Sequence, residues 1–318
     1  MDQSILAMAD LATPMAIRVA ATLGLAEHEG TAAELASATG TSPAALSCLL
    51  DHLVTAGVFA VESGRYRPTD LGAQLRTEGA RVLLDIHRAG GRADLAFVEL
   101  LGTITTGEPA YERRYGRGFW ADIDAEPRLR RSFDAQMNWR YRVQAPQIAA
   151  RFGWDRFGRI VDVGGGDGVL LAEILRAHPA VRGELLDLAP SATAAAARFA
   201  AAGFGDRASA VAGSFFDPLP PGADAYVLSD ILHDWDDDHA RRILAGCREA
   251  AAPAGAVVVI EALHQAAGTA MDLFLLMCFG GRERTATELE TLAASCGLVL
   301  RGTAAVSDGR TALEFAVA

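Results

Sequence analysis

The sequence predicts an α/β chain, with a small and mostly helical N-terminal unit followed by a parallel sheet wound with helices on both sides. Three observations predict it. From residue 159 onward, short β-branched runs alternate with Ala- and Leu-rich helical stretches, the pattern of a doubly wound sheet. The first of those runs ends in the glycine-rich segment Gly164–Gly168. Before them, residues 5–67 read helix, turn, helix and hairpin, a winged-helix layout. The boundary falls near residue 105, giving units of 1–105 and 106–318.

In the first unit, a helical pattern runs from about Ile5 to Leu25. Thr31 and Glu34 have capping-box spacing, so the next helix starts there. Ser42 is the expected cap of a third helix, with Pro43 at its first position. That helix stops near Gly57, and Val58–Val61 and Arg65–Arg67 form a hairpin around Gly64. A long helical stretch from about Arg128 to Phe152 leads into the second unit. The expected strands there are Arg159–Val163, Glu184–Asp187, Ser209–Ala212, Ala225–Ser229, Ala256–Glu261, Leu298–Thr303 and Ala312–Ala316.

Composition excludes several chemistries. The chain has 318 residues, 29 cationic and 40 acidic, for a net charge of −11, and all 29 cations are arginine. A pyridoxal-phosphate Schiff base, a Walker phosphate loop and a kinase-type strand each require lysine, so this chain supplies none of them. Residues 1–80 hold four arginines against nine acids, and the would-be recognition helix, residues 42–56, has no cation. Phosphate backbones are held by cations, so a DNA-binding regulator is disfavoured and no nucleic-acid partner is expected. Cys48, Cys247, Cys278 and Cys296 form no CxxC pair, which argues against a zinc knuckle and fits free thiols in the cytoplasm. No uninterrupted apolar run reaches the roughly 18 residues of a membrane helix, so no membrane association is expected.

The chemistry-bearing segments lie at strand ends. Asp162-Val-Gly164-Gly-Gly166-Asp-Gly168 is a D-x-G-x-G-x-G loop; the dinucleotide spacing G-x-G-x-x-G fails because its last position is Val169. Asp187 ends the second strand, 25 residues after Asp162, where an acid can accept ribose hydroxyls, with Leu188 beside it. Gly213, Ser214 and Phe215 follow the third strand. The fourth runs into Ser229-Asp-Ile-Leu-His233-Asp-Trp-Asp-Asp-Asp-His239. Asp236–Asp238 read as helix caps, or as part of a divalent-metal site; the capping reading is simpler, and no metal is expected.

The glycine loop resembles motif I of class I S-adenosylmethionine (SAM) methyltransferases. "LHDWDD" with the later "GGRERT" (residues 280–285) resembles, over nearly the whole chain, the winged-helix small-molecule O-methyltransferases, which include bacterial antibiotic-tailoring enzymes. The resemblance implies a Rossmann-like class I methyltransferase sheet with an N-terminal helical dimerisation domain, and a homodimer. It implies SAM as cofactor, S-adenosylhomocysteine as product and an aromatic acceptor bearing a hydroxyl. It implies His233 as general base, oriented by Glu261 and Glu283. Asp162, Gly164, Gly166, Asp187, Leu188, Gly213, Ser214, Phe215 and Ser229 would line the cofactor. Arg142 would meet the cofactor's carboxylate, or else be a solvated arginine. Phe133, Met137, Met271 and Asp272 would meet the acceptor, as adaptable apolar contacts or plain core. Trp235 would pack on adenosine or core. Plant members carry lysine where this chain has Ser229, which shifts the expectation towards bacterial aromatic natural products. A SAM-binding hydroxylase or decarboxylase, or transfer to carbon or nitrogen, is the alternative.

Overall fold

The computed structural model describes residues 4–251, 253–264 and 269–318. The chain divides into two compact units that interleave in sequence. The first comprises residues 1–95 and 120–139, the second residues 96–119 and 140–318. A single boundary at 105 does not describe this, because the helix Pro127–Arg151 contributes its first half to one unit and its second half to the other.

In the first unit, the pattern expected as one helix over residues 5–25 is broken. Asp10 accepts the amides of Ala12 and Thr13 (both 3.0 Å), so its carboxylate starts a new helix, Ala12–Thr22, after the short turn Ile5–Met8. Thr31 and Glu34 form the expected capping box. Pro43 opens the helix Pro43–Thr55, but Ser42 makes no side-chain cap, a correction to the expectation. Strands β1 (Phe59–Glu62) and β2 (Arg65–Pro68) pair antiparallel as the wing. Leu25, Leu35, Leu50, Leu53 and Phe59 are buried together as this unit's core. One expectation needs amending: residues 5–22 have a mean hydropathy of 1.4 and the length of a membrane span. The segment carries Asp10 and Arg18 and is interrupted after Met8.

The second unit holds seven strands: β3 (Arg159–Val163), β4 (Arg182–Asp187), β5 (Ala208–Ala212), β6 (Ala225–Ser229), β7 (Ala256–Glu261), β8 (Leu298–Ser307) and β9 (Arg310–Val317). Their order is β5-β4-β3-β6-β7-β9-β8. Five are parallel, as expected, but β9 runs antiparallel to β7 and β8. The cause is local: β8 and β9 are joined across Asp308-Gly309, with Gly309 at φ +80°, and a two-residue turn can only make an antiparallel hairpin. Every residue of β7 is buried. Apolar faces of the helices Val169–Ala177 and Ala189–Ala201 cover one side of the sheet, and those of Asp237–Ala250 and Ala286–Ser295 the other. Strand order reverses at β3, so the crevice beyond the carboxyl ends of β3 and β6 is the topological switch point, where doubly wound sheets bind ligands.

Candidate active site

Two segments meet this crevice. The first is the loop after β3. Gly164, Gly166 and Gly168 have φ of +73°, +62° and +81°, a region L-residues rarely occupy. The glycines serve different ends. A Cβ on Gly164 would lie 2.7 Å from Ile231, and one on Gly168 2.7 Å from Phe199, so these two are required by packing; a Cβ on Gly166 would meet only open space. Asp187 holds the loop, accepting the amides of Gly166 (2.8 Å) and Leu188 (2.6 Å). A carboxylate offers about four lone-pair sites, so capacity remains for ribose hydroxyls. Beneath the loop, Asp162 is 2 % exposed, and its Oδ2 has no hydrogen-bond partner. Burial, reinforced by the Asp187 charge, pushes the Asp162 carboxyl up to about 7. Gly213 donates its amide to Asp187 O at 2.9 Å, and Ser214 Oγ accepts the Phe216 amide at 3.1 Å. The Phe215 ring lies beside Gly164 and packs edge-on against Phe216 and Trp235, which makes Trp235 part of an aromatic cluster.

The second segment is the short turn Leu232–Asp234 after β6. His233 Nδ1 lies 2.7 Å from Glu261 Oε2, at an ion-pair distance but off the line of a hydrogen bond. Glu261 Oε1 accepts the Leu232 amide at 2.9 Å, so one buried carboxylate holds both the backbone and the ring of this turn. Burial opposes charge on the imidazole, but the carboxylates of Glu261 and then Asp234 outweigh it and push His233 up to about 10. Asp234 is itself raised by burial to about 7, despite the opposing pull of His233. Glu283 is 5 % exposed and raised by burial and by Asp272; its charge reaches His233 without a hydrogen bond. The expected trio therefore comes together unequally, with Glu261 in contact and Glu283 at longer range.

Several residues here had no assigned role from the sequence. Asp230 ends β6 in a left-handed conformation, φ +54°. Its Oδ2 accepts from Arg310 (2.9 Å) and from the Tyr141 hydroxyl (3.1 Å), and that hydroxyl also meets Ser229 Oγ at 3.0 Å. Ser229, expected beside the cofactor, is thus tied to Tyr141. Asp230, His233 and Glu261 each offer an atom within 4.8 Å of the others, a spacing a metal ion would accept. Arg310 already supplies a cation to Asp230, and we read the cluster as a proton-sharing group. Asp230 sits in the quoted His-Asp-Trp segment, and its signal was an acid just past a strand. Arg310 is 80 residues away, and no local pattern links the two.

Arg142 is exposed, the second of the two settings expected for it, while Arg140, two residues earlier, is the half-buried arginine whose charge acts on Tyr141, Asp230 and Asp234. At about 100° per residue, side chains two apart leave a helix in nearly opposite directions. Asp272 is tied locally: Oδ2 lies 2.7 Å from His264 Nδ1, and Oδ1 accepts the Glu283 amide at 2.9 Å. Met271, beside it, is 38 % exposed and open to contact. Phe133 and Met137 belong to the first unit, where the Phe133 ring packs edge-on against Trp120.

A glycine loop and acid at the switch point, facing a buried His–Glu pair one strand over, define a SAM-dependent transferase. The O-methyltransferase domain model matches residues 97–299 and the O-methyltransferase dimerisation domain model residues 6–78, so the chain belongs to the SAM-dependent O-methyltransferases. It is 50 % identical, over 95 % of its length and 94 % of the relative's, to 2,7-dihydroxy-5-methyl-1-naphthoate 7-O-methyltransferase of Streptomyces carzinostaticus. It is 41 % identical, over 97 % and 86 %, to aclacinomycin 10-hydroxylase RdmB of Streptomyces purpurascens. Among solved structures it matches NcsB1 of neocarzinostatin biosynthesis, in complex with SAM and 2-hydroxy-5-methyl naphthoic acid, with a TM-score of 0.96, 48 % identity and full coverage of both chains.

The residues fit SAM. The open face at Gly166, the Asp187 carboxylate that holds it and the unpartnered Oδ2 of Asp162 gather at the carboxyl ends of β3 and β4. Substituting Asp187 by alanine removes the amide acceptor that shapes the glycine loop, together with the acid expected to meet the ribose hydroxyls. The expected result is a SAM dissociation constant raised by about tenfold or more, since each lost charge-assisted hydrogen bond is worth about 1.5–3 kcal/mol. Calorimetric titration with SAM checks this.

Proposed function

We propose that this chain methylates a hydroxyl of a bicyclic aromatic acid of the hydroxynaphthoate kind, with His233 as the general base. The observation that carries the reading is the buried His233–Glu261 contact at the switch point. The names of the 50 % identical relative and of the NcsB1 complex support the acceptor class. SAM supplies an electrophilic methyl on a sulfonium, and the protein's part is to align the acceptor oxygen and take its proton.

The basicity of His233 suits that task. A phenol and an imidazole, each with a pKa near 10, exchange a proton almost without cost, so the acceptor oxygen gains phenolate character as it aligns. Like charges disfavour each other, so the imidazolium yields its proton more readily when a sulfonium is bound. Glu261 fixes the ring, and Asp162, Gly166, Asp187, Ser214 and Phe215 hold the cofactor. Met271, on the helix Ala270–Phe279, is the acceptor contact we retain.

The pH dependence tests this. Because kcat/KM reports the free enzyme, it should rise with pH from neutrality, reach half its maximum near 10 and level off only above that, as His233 loses its proton. A profile already flat by pH 7.5 would refute the base assignment. The test reaction uses SAM with 1,4-dihydroxy-2-naphthoic acid and measures S-adenosylhomocysteine formed. Hydroxylated product without stoichiometric S-adenosylhomocysteine would instead favour the activity named for the 41 % identical relative.

The dimerisation domain is assigned to a homodimer. Ile5, Leu6, Met8 and Leu11 are each at least 70 % exposed within a single chain, an apolar patch that a second copy would cover. Free thiols at all four cysteines support a reducing cytoplasm.

A further inference from the structure

We propose that Arg284 is a positioning residue for methyl transfer: it straps the turn carrying His233 and thereby sets the ring against Glu261. The turn is a single 3-10 turn between β6 and the helix Asp237–Ala250, with two long internal hydrogen bonds, from Asp234 N to Ile231 O at 3.3 Å and from Trp235 N to Leu232 O at 3.2 Å. Arg284 reinforces it. It is 3 % exposed, and its guanidinium takes three partners spaced along the turn. Nη1 donates to Leu232 O and Nη2 to Trp235 O, each at 2.8 Å, while Nε and Nη2 donate to Asp237 Oδ1 at 3.0 and 2.8 Å. The carbonyls it binds stand on either side of His233 in sequence. Leu232 is therefore held at both polar atoms, its N–H by Glu261 and its C=O by Arg284.

The same strand of chain approaches more closely than a side chain would allow. A Cβ on Gly281 would stand 2.0 Å from His233 O and 2.6 Å from the Asp234 carbonyl carbon. On its far side the strap is anchored: Glu283 N donates to Asp272 Oδ1, and Arg284 O accepts the His264 amide at 3.0 Å. Arginine is the residue this role needs, because its planar fork presents donors in a fixed geometry, whereas the lysine ammonium is a single point of charge. A buried guanidinium with one half-exposed carboxylate partner is costly unless its remaining donors are used, and here they are used on the catalytic turn.

The inference rests on His233 being the base, and the experiment separates the two. R284K and R284M are compared with wild type for melting temperature, SAM affinity, kcat, and the pH dependence of kcat/KM. His233 is faced by Glu261 from β7, Asp234 from its own turn, Asp230 from β6 and Glu283 from the strap, with Arg140 and Arg310 behind them. Loosening the turn weakens chiefly the Glu261 contact. The expected result is a folded R284K with SAM affinity within about twofold, kcat lowered by about 10–100-fold, and a pH profile moved to lower pH. In a His233→Ala background the same substitution should change kcat by less than about twofold, the non-additivity of residues acting as one unit. An R284K enzyme with kcat and pH profile within twofold of wild type overturns the proposal. So does a loss of kcat that is equal in both backgrounds, because that is a structural effect. Should R284M not fold, R284K and D237A, which removes only the anchor, decide the matter. A fully active His233→Ala enzyme would instead refute the base assignment itself.

Discussion

Replacing His233 by alanine should lower kcat by about 10²–10⁴-fold, the range contributed by a positioned general base, with SAM affinity little changed. The argument is geometric first. The ring lies 2.7 Å from Glu261, on a turn held at Leu232 by both Glu261 and Arg284. It is electrostatic second: three carboxylates around one imidazole keep it strongly basic. The residual rate is informative too. Asp234, raised by burial to about 7, remains beside the vacated position. Alignment of the reactants alone supplies part of the acceleration, so activity should fall without vanishing. The measurement is S-adenosylhomocysteine formation across pH 6–10. Equal rates for the two enzymes throughout that range would refute the assignment.

Arg310→Met should destabilise the protein by about 3–5 kcal/mol, the usual cost of leaving one half of a buried ion pair unpartnered. Arg310 and Asp230 are 7 % and 8 % exposed at their side chains and meet at 2.9 Å. The sign of the pH effect separates this from ordinary core loss. In the wild type, burial raises the Asp230 pKa, but Arg310, His233 and Arg140 outweigh it and hold the carboxyl below its ordinary value. That stabilisation is present above the ordinary carboxylate range and is lost as pH falls through the depressed value. Without Arg310, the charge-paired term is removed and burial pushes Asp230 upward. The deficit should therefore shrink on acidification and grow towards neutrality. Urea melts at pH 5 and pH 8 check this, and Asp230→Asn in the Arg310→Met background should recover part of the loss. A deficit under about 1 kcal/mol at both pH values would refute it.

What the sequence made legible was whatever sits on consecutive residues. The glycine loop, Asp187, the His-Asp-Trp turn and the strands β3, β6 and β7 were all read from local pattern, because strand ends and tight turns leave short signatures. Glu261 was singled out through the family resemblance, at the end of a strand that local pattern located. The break at Asp10 was not, because an apolar period hides an acid that caps the helix after it. The antiparallel β9 was missed because alternation of strands and helices suggests parallel pairing until the two-residue turn is noticed. Arg310, Tyr141 and Arg140 were missed for a different reason: their partners lie some 80–90 residues away, and only the sheet order, for Arg310, and the packing of the helix Pro127–Arg151, for the other two, brings them together. The partners of Asp272 were not legible, since periodicity places a residue on a face but does not say which oxygen meets which amide.

The hairpin β8–β9 carries a consequence for the order in which the enzyme matures on the ribosome. Chains emerge from their N-terminus at about 5–20 residues per second, and domains begin to fold as they appear. The loop after β3, the turn at His233 and the end of β7 are all made before residue 262, whereas Arg310 opens the last strand and pairs with the end of β7 through Thr311. A nascent chain therefore exposes a complete cofactor loop while Asp230 still lacks its guanidinium. Glu261 and Arg284 can hold the catalytic turn before then, but Asp230 gains its guanidinium only when β9 pairs between β7 and β8.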